Sequence, residues 1–276
     1  MATGTSATDA RREAPIGVFD SGLGGLSVLR ELARRLPEER FLYVADSAHC
    51  PYGSKTAAEI VARACALTDF LLARGAKLIV VACNTATIAA VEYLRASYSV
   101  SFVGMEPAVK PAVAATRTGV VGVLATAATL AGDKLQRLIE RHADSVRVLT
   151  QPAPGLPERV EAGELDTPQT RRLVERYTAP LLAAGADVIV LGSTHYPFLA
   201  PLIRSVVGPG VRLLDTGEAV ARRVAAVLEQ EGLRHREGRG GIEFFTSGPV
   251  AHLETIGSRL WGAPIAGSAL PASAKL

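Results

Sequence analysis

Short apolar runs recur along this chain, each closed by a polar or glycine-containing turn. They lie at 16–19, 40–45, 77–82 and 101–104, and again at 120–124, 146–150, 187–191 and 211–214. Continuous apolar runs of this length, without alternation, predict strands covered on both faces. Between them the polar positions fall at helical spacing. Helices are predicted from the glycines at 24–25 to about 36, over 56–74, after 83, and over 216–231. Strand–helix alternation of this kind gives largely parallel sheets with right-handed crossovers. A basic, glycine-containing linker at 234–241 precedes a further strand pattern at 242–246, which is assigned to the first half.

The pattern also repeats. Residues 73–91, ARGAKLIVVACNTATIAAV, align without a gap on residues 183–201, AAGADVIVLGSTHYPFLAP. Each reads as a helix end closed by glycine, a buried strand, and a polar turn opening the next helix. Cys83 falls on Ser193, and Asn84-Thr85 on Thr194-His195. The 122–129 stretch GVLATAAT likewise takes the place of GVFDSGLG at 17–24. Two four-strand half-sets in one order imply an internal duplication. The expected fold class is α/β, with two pseudo-symmetric, largely parallel domains and the active site between them. The first would comprise 15–107 with 216–276, the second 108–215, and residues 1–14 a disordered leader.

Composition narrows the function classes. The 276 residues are 48% hydrophobic and only 5% aromatic, so Ala, Val and Leu carry the core. A net charge of +3 with no basic stripe gives no nucleic-acid face. The apolar runs are too short to span a membrane, and the leader lacks the apolar core of a signal peptide. Three irregularly spaced cysteines make no disulfide framework. A cytoplasmic location is expected.

Polar tips at the C-terminal ends of buried strands are where α/β folds bind ligands. The glycine-rich Asp20–Gly25 turn lacks dinucleotide-fingerprint spacing and a phosphate-loop lysine, and it opens on an acid that repels phosphate. Cys83 ends a strand and begins a helix, where backbone N–H groups favour thiolate over thiol. His195 shares its turn with the hydroxyls of Ser193 and Thr194, opposite that thiol. Cys65 reads as a packing residue, and Cys50 as a loop residue near the cleft without assigned chemistry. No cluster has metal-ligand spacing and no lysine has a pyridoxal phosphate setting, so chemistry without cofactor or metal is expected.

These motifs together resemble those of the glutamate racemases: GVFDSGLGGLSVL at 17–29, YVADSAHCPYG at 43–53, VVACNTAT at 80–87, GVLATAAT at 122–129 and VLGSTHYPFL at 190–199. The resemblance runs from residue 15 to about 246. It implies a cofactor-independent isomerase acting on L- and D-glutamate and supplying D-glutamate for peptidoglycan. In that family two cysteines stand on opposite faces of the substrate α-carbon, one taking a proton and the other giving one. By resemblance Cys83 is one base, assisted by Asp20, and His195 assists the second. Asp20, Ser21, Tyr52, Gly53, Asn84, Thr85, Thr126, Thr194 and His195 would bind the substrate's ammonium and carboxylates. A homodimer is left open.

One position departs from the family pattern: the second cysteine would stand at 193, where this chain has serine. A thiol has a reference pKa of about 8.5, whereas a serine hydroxyl is far less acidic. Ser193 is therefore expected to impair turnover. The competing reading, from another functional class, is a catalytically silent amino-acid-binding or partner-binding module. Within the enzyme class, aspartate racemase and one-thiol decarboxylase relatives are alternatives that the Cys-Asn-Thr and Thr-His-Tyr-Pro contexts disfavour.

Overall fold

The computed structural model describes residues 7–142, 145–271 and 274. Its strands are β1 (Ile16–Asp20), β2 (Arg40–Ala45), β3 (Leu78–Val81), β4 (Ser101–Val103), β5 (Val120–Ala125), β6 (Arg147–Pro152), β7 (Val188–Gly192), β8 (Arg212–Leu214), β9 (Gly241–Thr246) and β10 (Gly267–Ala269). They form two sheets, ordered β10-β9-β2-β1-β3-β4 and β6-β5-β7-β8, and every pairing is parallel. The order β2-β1-β3-β4 in one sheet matches β6-β5-β7-β8 in the other, so the duplication read in the sequence is also a duplication of topology. The strand at 242–246 does join the first sheet, beside β2.

The central strands β1, β3 and β7 are buried along their whole length, which is why they read as unbroken apolar runs. One apolar cluster lies between the sheets and draws on both, from Ile16, Val18 and Leu29 to Leu124, Ile189 and Leu191. Helix Leu26–Arg35 packs there against helix Gly217–Gln230, through Leu26, Leu29 and Leu32 on one and Val220, Val224 and Leu228 on the other. Separate clusters cover the far face of each sheet. The shared core holds the two halves in one relative position.

In both sheets the chain leaves the first strand towards one neighbour and returns on its other side. The strand order thus reverses between β1 and β3, and again between β5 and β7. Ligand crevices of open α/β sheets form at such reversals, beyond the C-terminal strand ends. Asp20 and Cys83 stand at the first crevice, and Thr126 and Ser193 at the second.

Three details differ from the expectation. Residues 7–13 of the supposed leader form a helix whose last turn is tied down: Arg12 donates to the Gly232 carbonyl at 3.1 Å, and Lys77 donates to the Arg12 carbonyl. Residues 1–6 lie outside the described residues. Strand β10 has no apolar run to announce it and, among the described residues, pairs with β9 alone. After the second tip the chain makes a 3₁₀ turn over Tyr196–Leu199 before helix Ala200–Val207, whereas helix Asn84–Ser97 follows Cys83 directly. Pro197 and Pro201 lack the N–H groups that an immediate helix would use.

Candidate active site

Cys83 occupies the N-cap of helix Asn84–Ser97, and its Sγ accepts a hydrogen bond from the Ala86 N–H at 3.4 Å. The thiol donates to Ser21 Oγ at 3.7 Å, and Ser21 donates to Asp20 Oδ1 at 3.4 Å. Asp20 Oδ2 accepts from the Gly25 N–H at 2.7 Å. All three side chains are buried. Burial and the nearby Asp20 carboxylate push the Cys83 thiol up to about 12, against the pull of the Ala86 N–H. The helix start alone therefore does not make this residue a thiolate at rest, contrary to the expectation from its position. Burial also raises Asp20, outweighing the favourable charge of His195.

The second tip closes onto the same carboxylate. Thr194 donates to Asp20 Oδ2 at 3.5 Å, and the Thr194 carbonyl accepts from Ser27 Oγ at 2.8 Å. Ser193 is buried, with its Oγ accepting from the His195 backbone N–H at 3.4 Å. A path of contacts thus joins the two tips, from Cys83 through Ser21 and Asp20 to Thr194. His195 is buried too, and its Nε2 lies 2.6 Å from Glu161 Oε1. Burial alone would lower His195 and raise Glu161. Their mutual hydrogen bond and charge reverse both, so His195 is raised above its ordinary value and Glu161 is held down to about 2. Glu161 also accepts from the Leu23 N–H at 2.7 Å, which fixes the pair against the first half.

The glycines of the 20–25 turn now have a physical reason. A methyl group on Gly24 would stand 2.5 Å from His195 Nδ1 and 2.6 Å from Thr194 Oγ1. One on Gly22 would meet Glu161 and Cys50. These two positions are bare because side chains of the second half, with Cys50 of the first, pack against them.

The remaining expected residues divide into two groups. Thr85 and Thr126, from opposite halves, share a 3.1 Å hydroxyl contact, and Thr129 joins them at 3.3 Å from Thr85. Gly53 faces Thr126 closely enough that a methyl group there would be 3.3 Å from Thr126 Cβ. Asn84 is buried, and neither its Oδ1 nor its Nδ2 has a partner among the described residues. Such an amide is costly unless a ligand completes it. Tyr52 departs from this group. Its hydroxyl donates to Asp46 Oδ2 at 2.6 Å and its ring is buried in the first half's outer core, so only its backbone and that of Gly53 are left for a ligand. Arg63 engages the same Asp46 through two nitrogens, each at 2.9 Å.

Glu161 was missed by the sequence reading. It lies at the end of helix Leu156–Glu161, thirty-four residues from its histidine, with no local pattern around it. The fold also gathers three residues that sequence spacing does not connect. Ligand-capable atoms of Cys50, Glu161 and His195 all lie within 4.8 Å of one another.

Comparisons with known proteins give the family. The model of the Asp/Glu/Hydantoin racemase family matches residues 16–224. The glutamate racemase of Herpetosiphon aurantiacus is 57% identical over 246 residues, covering 89% of this chain and 97% of that protein. That of Pseudomonas aeruginosa PAO1 is 52% identical over 256 residues, covering 92% and 97%. Among solved structures, a Bacillus anthracis glutamate racemase superposes with a TM-score of 0.85 at 30% identity, over 95% of this chain and 99% of that one. Escherichia coli glutamate racemase, solved with L-glutamate and an activator, gives 0.82 at 32% identity, over 93% and 97%. The chain belongs to the Asp/Glu/hydantoin racemase family and, within it, to the glutamate racemases.

Proposed function

We propose that this chain interconverts L- and D-glutamate by proton transfer at the α-carbon, and that its two strand tips address opposite faces of that carbon. The observation that carries the reading is the convergence of Cys83 and the Ser193–His195 turn on the single buried carboxylate of Asp20. Inversion needs an acid and a base on opposite sides of one atom, held within hydrogen-bond reach. No hydride, electron or acyl group moves. The α-proton leaves to one side, and a proton from the other side completes the product.

In the resting site Cys83 carries its proton, since burial and Asp20 disfavour thiolate. The hydrogen bonds run from Cys83 to Ser21 to Asp20, a direction suited to draining that proton onto the carboxylate. A bound amino acid brings its ammonium among these groups, and a cation at this range favours thiolate. The unpartnered amide of Asn84 and the hydroxyls of Thr85, Thr126 and Thr194 are suited to the ammonium and carboxylates. His195, positively charged against Glu161, favours the partner face as the proton-donating side.

Ser193 limits this chemistry. Its hydroxyl is no standing base for a carbon acid and a poorer donor than a thiol. General acid–base groups are worth about 10²–10⁴-fold, and a loss at the upper end is expected. Cys83 keeps its complete setting, so it can take the α-proton of D-glutamate and return one to the same face. In heavy water, D-glutamate should therefore gain α-deuterium faster than it racemises, while L-glutamate barely exchanges. Proton NMR on both enantiomers tests this, and equal exchange into both would refute the asymmetry. Ser193 also favours a second reading, an amino-acid-binding module without turnover. That reading requires binding of glutamate with no exchange in either enantiomer.

The two sheets mark two domains in this proposal, 15–107 with 216–276 and 108–215. No helix among the described residues is long and apolar enough to cross a membrane, and we place the reaction in the cytoplasm.

A further inference from the structure

The Glu161–His195 pair has a second face. Beside it opens a cavity of about 330 Å³ lined by Ser47, Cys50, Glu158, Glu161 and His252, among others. Two of these lining residues, Cys50 and Glu161, place Sγ and a carboxylate oxygen within 4.8 Å of each other and of a ring nitrogen of buried His195. His252 Nε2 stands 3.8 Å from Glu161 Oε2 on the cavity side. Ser47 Oγ, also in the lining, is buried and has no hydrogen-bond partner among the described residues. The proton transfer proposed above uses neither Cys50 nor His252.

We propose that Cys50, Glu161 and His195 form an inhibitory site for a soft divalent cation of the zinc class, entered through this cavity. One thiol, one carboxylate and one imidazole are the donor types zinc takes, and three protein ligands with an open fourth position are a known arrangement for it. The geometry needs little change. With zinc–ligand distances of about 2.0–2.3 Å, ligand atoms around a tetrahedral ion stand roughly 3.2–3.8 Å apart. The three atoms already lie inside 4.8 Å, and the 2.6 Å His195–Glu161 contact has only to open as the ion replaces the proton between them. The open position faces the cavity, where solvent or His252 fills it. On binding, the Cys50 thiol proton and the proton shared by His195 and Glu161 leave to solvent. His195 then no longer carries positive charge beside Ser193, and the Cys50 loop is fixed to the second half across the cleft. Both effects stop turnover.

The test uses the full chain and does not depend on the reaction assigned above. Zinc affinity is measured by competition with a chromophoric chelator, and thiolate ligation by the ultraviolet charge-transfer band of bound cadmium. One equivalent of each ion is expected, with the cadmium band present in the wild type, Cys65→Ser and Cys83→Ser. Cys50→Ser should lose the band and weaken zinc by at least about 100-fold, the upper range even for groups that only support a ligand. Glu161→Gln should weaken zinc while keeping a thiolate band. Where α-proton exchange or racemisation is measurable, zinc should suppress it in the wild type, reversibly by chelator, and leave Cys50→Ser uninhibited. A band that persists in Cys50→Ser, one that vanishes with Cys83→Ser, or the lack of stoichiometric binding to the wild type would each overturn the site. A protein that binds zinc at Cys50 yet shows no turnover would keep this proposal and count against the racemase reading alone.

Discussion

The two strand tips began as the same turn and now do different physical work. At the first, a helix starts directly on Cys83, and the thiol is both N-cap and the start of a hydrogen-bond path to Asp20. At the second, prolines delay the helix, and the tip relies on an imidazole clamped by Glu161. One tip is built around a thiol joined by hydrogen bonds to a buried carboxylate. The other is built around an imidazole that a carboxylate holds above its ordinary pKa. Backbone symmetry therefore supplies two matching tips, while the side chains make them chemically unequal. Serine at 193 exaggerates that inequality, because it removes the thiol from the tip that already had the weaker helix start.

The largest test of this inequality is removal of its stronger member. Cys83→Ala should abolish α-deuterium exchange into D-glutamate, a loss of about 10⁴-fold or roughly 5 kcal/mol in barrier. Exchange that survives would show that another group serves as the base. The reverse change should make the tips more alike. Ser193→Cys is expected to raise racemisation by at least about 10²-fold, the lower range for a positioned acid–base group. Polarimetry on L-glutamate measures it, and the D-over-L bias in exchange should shrink in the same variant. A variant with restored thiol and unchanged bias would mean that the asymmetry resides in the surroundings.

The interlock between the halves can be broken without touching either reacting side chain. Gly24→Ala places a methyl group against buried His195 and Thr194, at 2.5 and 2.6 Å. Overpacking of this kind costs about 1–3 kcal/mol. Chemical denaturation should show that loss, whereas Gly210→Ala, which meets nothing within 4 Å, should not.

The difference between those two glycines also marks how far the sequence could be read. Strand positions and the repeated order were legible because apolar runs and glycine-closed helix ends are local signals, and Cys83 and His195 stood out as polar breaks after such runs. Ser21 and Thr194 were legible in the same way, as neighbours of those breaks. Glu161 was not, since its role comes from a contact across the chain with His195, and nothing within its own helix marks it. The reason for Gly22 and Gly24 was hidden in the same way. A side chain at either would meet residues distant in the chain, Glu161 and Cys50 at the first and Thr194 and His195 at the second. The partner of Tyr52 was hidden too, for its hydroxyl is spent on a buried carboxylate six residues away. The Cys83 thiol illustrates the limit of local electrostatics. Its place at a helix start was visible, but the burial and the Asp20 charge that outweigh the helix are tertiary.

The smallest expected effect concerns the charge that distinguishes the second tip. Glu161 ordinarily titrates at 4.5 and is held at about 2 in the fold, so its contribution to stability is complete above 4.5 and is lost as pH falls through about 2. His195 is raised above 6.5, so its contribution is complete below 6.5 and is lost as pH rises through its folded value. Between these limits the pair is fully charged on both sides. Lowering the pH from 6 to 4 should therefore begin to remove the Glu161 share, about 1 kcal/mol for a shift of this size. Asp20 acts in the opposite sense over the same range, because its raised value lets the folded state take up a proton first. Raw stability curves mix the two, and Glu161→Gln would not separate them, because the charge of Glu161 also raises Asp20 and His195. The informative quantity is the titration of the Glu161 carboxyl itself, read from its side-chain carbon chemical shift. That shift should stay constant between pH 6 and pH 4, because the carboxyl is held down to about 2. A carboxyl that titrates at its ordinary 4.5 would mean that Glu161 is not held low by His195, and that the second tip lacks the ion pair on which its contrast with the first depends.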